Sequence, residues 1–224
     1  MGQRPACVRA IVVVGTLWGV PAMAGGPAQI LQIYRDRLKP GSEAAFKAIE
    51  EDAARICAEL KFPQPHLAME SLSGPKEVWW LNAFASEAER QRVTSEYEGN
   101  PALVAALGAI PKRKEELATG VNVLTNYRGD LSRGAPWQPA GARFFVVTVT
   151  RQDLQMEGSV FEAPDGSRFI FRPFRTRQQA DVAAGAAGAG TTVFAVRPYW
   201  GMAAREWIAA DPDFWRTNPM ASAR

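Results

Sequence analysis

The stretch QILQIYRDRLKPGSEAAFKAIE, residues 29–50, decides the fold. Its first ten residues alternate, with Ile30, Gln32 and Tyr34 on one face and Leu31 and Ile33 on the other, which is the period of a β-strand. Pro40-Gly41 ends the strand and Ser42 offers an N-cap. Phe46, Ile49, Ala53, Ile56, Cys57 and Leu60 then recur at the spacing of an amphipathic helix. Glu43, Glu50, Glu51 and Glu59 fall opposite that stripe with Lys47 and Arg55, so they read as helix-surface acids rather than a catalytic pair.

Outward from this unit, Pro63 and Pro65 stop the helix, and His66–Ser71 and Glu77–Phe84 read as strands joined through Ser73-Gly74-Pro75. Ser86 and Glu89 form a capping box that opens a second helical region. Gly99-Asn100-Pro101 interrupts this region, which runs on past Pro111 to Thr119. Gly120 closes it, and Val121–Tyr127 is the fourth strand. The order β-α-β-β-α-β over residues 25–130 is that of a ferredoxin-like unit. Residues 131–143, with Gly134-Ala135-Pro136, Pro139 and Gly141, read as a linker.

Beyond the linker the pattern restarts in shortened form over residues 144–200. Phe144–Thr150 is a β-branched strand, followed by too few residues for a packed helix before Ser159–Ala163. Pro164-Asp165-Gly166 is a hairpin turn, and Ser167–Phe174 leaves it. Thr176–Ala187 reads as a glycine-weakened helix, with Val182–Gly190 open to either a helix or a flexible loop, and Thr191–Tyr199 as the last strand. Residues 201–224 form an aromatic tail; Tyr199-Trp200, Trp207 and Phe214-Trp215 are expected along an exposed groove, with simple packing or a dimer contact as alternatives.

Residues 1–24 carry the three parts of a secretory signal: Arg4 and Arg9, the uncharged run Ala10–Val20, and Ala22-Met23-Ala24 before a cleavage point after Ala24. The run is too short to span a bilayer, so the expectation is a periplasmic or secreted protein without a membrane anchor after cleavage. The whole chain has 26 basic and 23 acidic residues; without Arg4 and Arg9 the surplus falls from +3 to +1. That near-neutral charge, with no long basic stripe, argues against nucleic acid. Cys57 is then the sole cysteine and His66 the sole histidine, which excludes an internal disulfide and a Cys/His zinc set. No metal or cofactor is expected, and there is no phosphate-binding loop or dinucleotide fingerprint.

Tyr34, Trp80 and Asn82 alternate on strands of the first half, where they would face the space between two sheets; with His66 they form the candidate pocket, a polar amide among aromatics. The competing reading makes the aromatics core and His66 a structural imidazole. Arg168 and Arg172 share one strand face and are a weaker candidate for an anionic ligand, against a solvated edge carrying charge.

The first half resembles the antibiotic-biosynthesis-monooxygenase and NIPSNAP group of dimeric α/β-barrel proteins, through Leu38-Lys39-Pro40-Gly41 followed by a helix with Phe46, and through the strand Glu77–Phe84 running into a capped helix. The resemblance implies two four-stranded sheets facing each other, normally from two chains, around a pocket for an aromatic substrate or heme. Two halves in one chain would supply both, giving an α+β fold of two ferredoxin-like repeats closed as a single-chain pseudo-dimeric barrel, a monomer or a homodimer. Heme-degrading relatives carry a histidine in the second helix; Ala102, in Asn100-Pro101-Ala102-Leu103, stands there instead, and a methyl group neither ligates iron nor moves a proton. The expectation is an exported protein binding a small, partly apolar ligand between its sheets. The alternatives are a cofactor-independent monooxygenase, or a structural or partner-binding protein with a filled barrel.

Overall fold

A computed structural model describes residues 28–134 and 137–216. The predicted signal segment, Ala135-Pro136 of the linker and the end of the tail lie outside the described residues. The chain is an α+β protein whose eight antiparallel strands close into one barrel in the order β1-β3-β2-β8-β5-β7-β6-β4. These are β1 (Ile30–Leu38), β2 (Leu67–Ser71), β3 (Glu77–Phe84), β4 (Ala118–Tyr127), β5 (Phe144–Thr150), β6 (Ser159–Glu162), β7 (Arg168–Phe174) and β8 (Thr191–Val196). Each half contributes four neighbouring strands, β4-β1-β3-β2 and β8-β5-β7-β6, and the seams pair β2 with β8 and β4 with β6. Closure leaves no sheet edge to be protected.

Four helices follow the first strands: α1 (Glu43–Glu59), α2 (Glu87–Glu98), α3 (Pro101–Gly108) and α4 (Ile110–Lys114). The local chemistry differs from expectation at Ser42 and Gly120 and agrees with it at Ser86. Ser42 precedes α1 but does not cap it; its hydroxyl donates to the carbonyls of Lys39 at 2.6 Å and Leu117 at 2.8 Å, tying the end of β1 to the start of β4. Ser86 does cap α2, accepting from the Glu89 amide at 3.2 Å, while the Glu89 carboxylate reaches back to the Ala85 amide at 2.6 Å. Gly120 does not close a helix but lies inside β4, opposite Asp36.

In the second half α5 (Arg177–Ala187) is a helix opened by a full capping box of Thr176 and Gln179, so residues 182–187 are helix and the loop begins at Gly188. It lies directly on β5, β7 and β8, where Ala180, Ala183 and Ala184 pack with Val146 and Val193. Residues 151–158 hold no helix, as the short spacing predicts.

The inward side chains of both halves fill the barrel. Leu31, Ile33, Leu67, Met69, Phe145, Phe161, Phe171 and Phe194 are wholly buried in one cluster with Trp79. The space between the two sheets, where a ligand was expected, is therefore occupied by core; eight strands leave an interior just wide enough for side chains. The linker also joins this core, since Trp137 stacks on Phe145 at 5.5 Å and meets Phe171 edge-on at 5.2 Å. The tail does not lie in an exposed groove. Trp207, in α6 (Arg205–Ala210), and Trp215, in α7 (Pro212–Trp215), are buried in the same cluster, held by Arg143, which donates twice to the buried Asp211 at 2.7 and 2.9 Å.

Trp79 meets Phe194 at 4.8 Å, Phe169 at 6.0 Å and Phe171 at 6.5 Å, all from the opposite half. Trp79→Ala is expected to lower stability by about 3–5 kcal/mol, the usual cost of emptying a large aromatic site. Urea unfolding measures this; a loss under about 1 kcal/mol would show that the two halves do not depend on this contact.

Candidate ligand-binding site

Outward-facing positions of β1, β3 and β4 line up by register. Tyr34 lies between Trp80 and Asn122, Gln32 between Asn82 and Leu124, and Asp36 between Val78 and Gly120. α1 to α4 cover this face; Phe46 of α1 packs with Ala68 and Val78, Val93 of α2 packs with Ile30 and Phe84, and a cavity of about 860 Å³ lies between helices and sheet beside these contacts. The four residues singled out from sequence, Tyr34, His66, Trp80 and Asn82, all line it. They come together on the outer face of the first sheet, under the helices, not between the sheets.

The mouth is polar. Gln32 Nε2 donates to the Tyr34 hydroxyl at 2.8 Å and to Asn122 Oδ1 at 3.4 Å, and Tyr34 is 39% exposed. Partial burial raises the Tyr34 phenol above its ordinary value, only partly offset by its hydrogen bond with Asn122. On another wall His66 is buried, its ring edge-on to Phe62 at 5.5 Å and its Nδ1 3.4 Å from the Gln64 carbonyl. The chain of residues 199–202 passes beside it: His66 and Met202 exchange two backbone hydrogen bonds of 2.9 Å, and Trp200 joins the lining. Gly201 is required there, because a Cβ would come within 2.6 Å of the His66 carbonyl oxygen.

The charged centre of the cavity is one that sequence reasoning missed. Lys114 Nζ lies 3.1 Å from Asp36 Oδ2 and 2.5 Å from Glu50 Oε1, and it sits over the Trp80 ring at 4.1 Å and the Phe46 ring at 5.0 Å. Glu50 is 2% exposed, and its Oε1 is in ion-pair range of Lys114 without the alignment of a hydrogen bond. Burial pushes the Glu50 carboxyl up to about 7; Lys114 pulls it down and Asp36 pushes it further up. Gly120 makes room for this group, since a Cβ would come 2.7 Å from Asp36 Oδ1. Glu50 is thus no surface acid: Phe46, Glu50, Ala54 and Cys57 share the buried side of α1. Their 4-4-3 spacing was the available signal. Cys57 behaves as a buried apolar group, its thiol pushed up to about 12 by burial and by Glu50.

The other candidates lie elsewhere. Arg168 is paired with Glu162 at 2.6 Å and with Asp153, and Arg172 donates to the Ala183 carbonyl at 3.1 Å under α5. Neither lines the cavity, and the first is already neutralised. Ala102 is exposed on α3 and also outside the lining. Among the described residues no cluster of three His, Cys, Asp or Glu side chains is placed to hold a metal ion.

No family model matches the chain, and no curated protein matches it. Solved structures do. A Fusobacterium nucleatum protein named for a proposed monooxygenase activity aligns over 79% of this chain and 94% of its own at 11% identity, with a TM-score of 0.45. A Lactobacillus acidophilus protein named for the same proposed activity aligns over 75% and 94% at 6% identity and 0.46. A third, named for a proposed chlorite dismutase activity, aligns over 75% and 95% at 8% identity and 0.43.

With the Glu50 carboxyl held at about 7 in the fold against an ordinary 4.5, the folded chain binds this proton more tightly than the unfolded one. The resulting stabilisation is complete below the ordinary value and is lost as pH rises through about 7. Its size is at most about 3 kcal/mol. Glu50→Gln removes this dependence, so the variant should gain on the wild type in urea midpoint between pH 5 and pH 8. A difference between the two that stays constant over that range would show that Glu50 titrates at its ordinary value.

Proposed function

We propose that this chain is an exported protein that binds a small, partly apolar ligand between the outer face of its first sheet and α1–α4. The observation that carries this reading is the cavity of about 860 Å³, which joins aromatic walls to a few convergent polar groups. Trp80, Tyr34 and Phe62 supply apolar faces; Asn82, Gln32 and Asn122 supply amides that orient a ligand; Glu50 and Lys114 supply charge. Export rests on the pattern of residues 1–24.

The two halves are read as ferredoxin-like repeats, the second shortened, closed on each other as a pseudo-dimer within one chain. Strand orders 4-1-3-2 and 8-5-7-6 support this, because each places the first and third strands of its half at the centre and the second and fourth at the seams. One chain supplies the whole barrel, so the reading requires no second subunit.

Cofactor-independent oxygenation is the second reading, favoured by the buried Glu50 carboxylate beside an aromatic wall. An electron-rich hydroxyarene that gives its proton to such a group becomes reactive toward O₂; one oxygen atom enters the ring and the other leaves as water, with the ligand supplying the electrons.

The test is calorimetric titration of the purified protein with 1-naphthol, naphthalene and 1,4-naphthohydroquinone. Binding of at least one is expected, and Trp80→Ala should weaken it about 10-fold, a change of about 1.4 kcal/mol. No heat with any of the three would sink the cavity as a site for planar aromatic ligands. Oxygen uptake with the hydroquinone above the rate of a Trp80→Ala control is the outcome that selects the oxygenase.

A further inference from the structure

We propose that the cavity is a proton-transfer site, in which Glu50 takes the acidic C–H proton next to the carbonyl of a planar ketone while Lys114 holds the developing enolate oxygen. This rests on the reading of the cavity as a ligand site and adds its chemistry and ligand class.

The geometry has three parts. Glu50 is almost wholly buried yet lines the cavity, and its Oε1 lacks an aligned hydrogen bond. Keeping a carboxylate ionised at such burial costs stability even beside a cation, and a buried acid paired with a cation in a cleft is a candidate for reaction. Second, Lys114 Nζ and Glu50 Oε1 are 2.5 Å apart, so a base and an oxyanion partner stand side by side. A carbonyl oxygen that approaches the ammonium places the adjacent carbon, one bond further on, beside the carboxylate. Third, Trp80, Phe46 and Phe62 give the surroundings apolar surface, in which a fixed cation stabilises an enolate more strongly than water does.

The step balances without any co-reactant. The C–H pair becomes the C=C bond, the carbonyl π pair moves to oxygen, and the proton resides on Glu50. Return of that proton to oxygen gives the enol, and return to carbon gives the ketone, exchanged with solvent. The groups around Glu50 suit both directions. Asp36 from β1 and Lys114 from α4 flank it, Glu115 just beyond α4 and Glu98 of α2 add further acids to the lining, Arg90 of α2 adds a cation, Cys57 lies on its own helix, and α3 adds only the apolar Leu107. With its carboxyl pushed up to about 7, Glu50 is present in both protonation states near neutrality, as an acid–base group must be.

The experiment is deuterium exchange at C1 of 2-tetralone in buffered D₂O, followed by proton NMR, with binding of the same ketone measured by calorimetry. Wild type is expected to accelerate exchange about 100-fold over an equal concentration of Glu50→Gln, within the usual range for a positioned base. Glu50→Gln should still bind the ketone, Glu50→Asp should restore part of the rate, and the wild-type rate should rise with pH through about 7. Lys114→Met should move that rise to higher pH, which gives a second reading if Glu50→Gln does not fold. Equal exchange by wild type and Glu50→Gln, with the ketone bound by both, overturns the proposal and leaves the cavity as a binding site. Failure of wild type to bind 2-tetralone overturns the ligand class, whereas the naphthalene series judges the cavity independently.

Discussion

Trp79 is the contact on which the rest of the molecule depends. It leaves β3 toward the barrel axis and meets Phe169, Phe171 and Phe194 of the other half, so the two four-strand groups are joined through one indole as well as through their seams. Its ring carries polar groups into the barrel mouth as well. The indole N–H donates to Glu77 at 2.8 Å, and the Arg35 guanidinium lies 4.5 Å from the ring centre. Burial alone would raise the Glu77 carboxyl, but the bond from Trp79, the charge and bond of Arg35 and the bond from Arg37 outweigh it and hold the group below its ordinary value. The described inward side chains fill this interior, and the cavity lies on an outer face.

The two outer faces are built differently, and side-chain size is the reason. α5 presents Ala180, Ala183 and Ala184, small enough for its backbone to settle onto β5, β7 and β8. The first sheet instead projects Tyr34, Trp80 and Asn82 outward, and α1 answers with Phe46 and Glu50. Beside the contact of Phe46 with Val78, those side chains border a gap between helix layer and strands. Lys114 then fills part of the gap, its ammonium resting on Trp80 and Phe46 between two carboxylates. Cation, carboxylates and aromatic faces are mutually dependent there: removal of Lys114 would leave Asp36 and Glu50 facing each other uncompensated.

The fold was legible because periodicity is local. All eight strands and the long helices stand within a few residues of where alternation and 3.6-residue spacing put them, and the absence of a helix over 151–158 followed from chain length alone. The orientation of the site was not legible. Alternation separates Tyr34, Trp80 and Asn82 from Leu31 and Trp79, but it does not say which set points into the barrel; that depends on which face carries more wholly apolar area across all strands. Glu50 was misjudged for a related reason. A carboxylate on the apolar stripe was assigned to the polar face by its charge, although its spacing from Phe46 and Cys57 puts it on the buried side. Its partners Asp36 and Lys114 are 78 residues apart in sequence, so no local pattern joins them.

The tail was expected along an exposed groove, with simple packing as an alternative, and its burial changes what the cavity depends on. Trp207 and Trp215 pack into the barrel core, and the buried Asp211, gripped by Arg143, fixes their helices beside the start of β5. The chain leading to them has already crossed the first half, pairing Met202 with His66 and laying Trp200 against Phe46, Ala68 and Val78. A segment that seals the core of the barrel is thus continuous with one wall of the cavity. Two buried anchors, the Asp211 pair at one end and the His66 bridge at the other, bracket residues 203–210, and the bridge holds Trp200 at the cavity wall. The shape of the site is therefore set as much by how the second half ends as by the first-half strands that carry its polar groups.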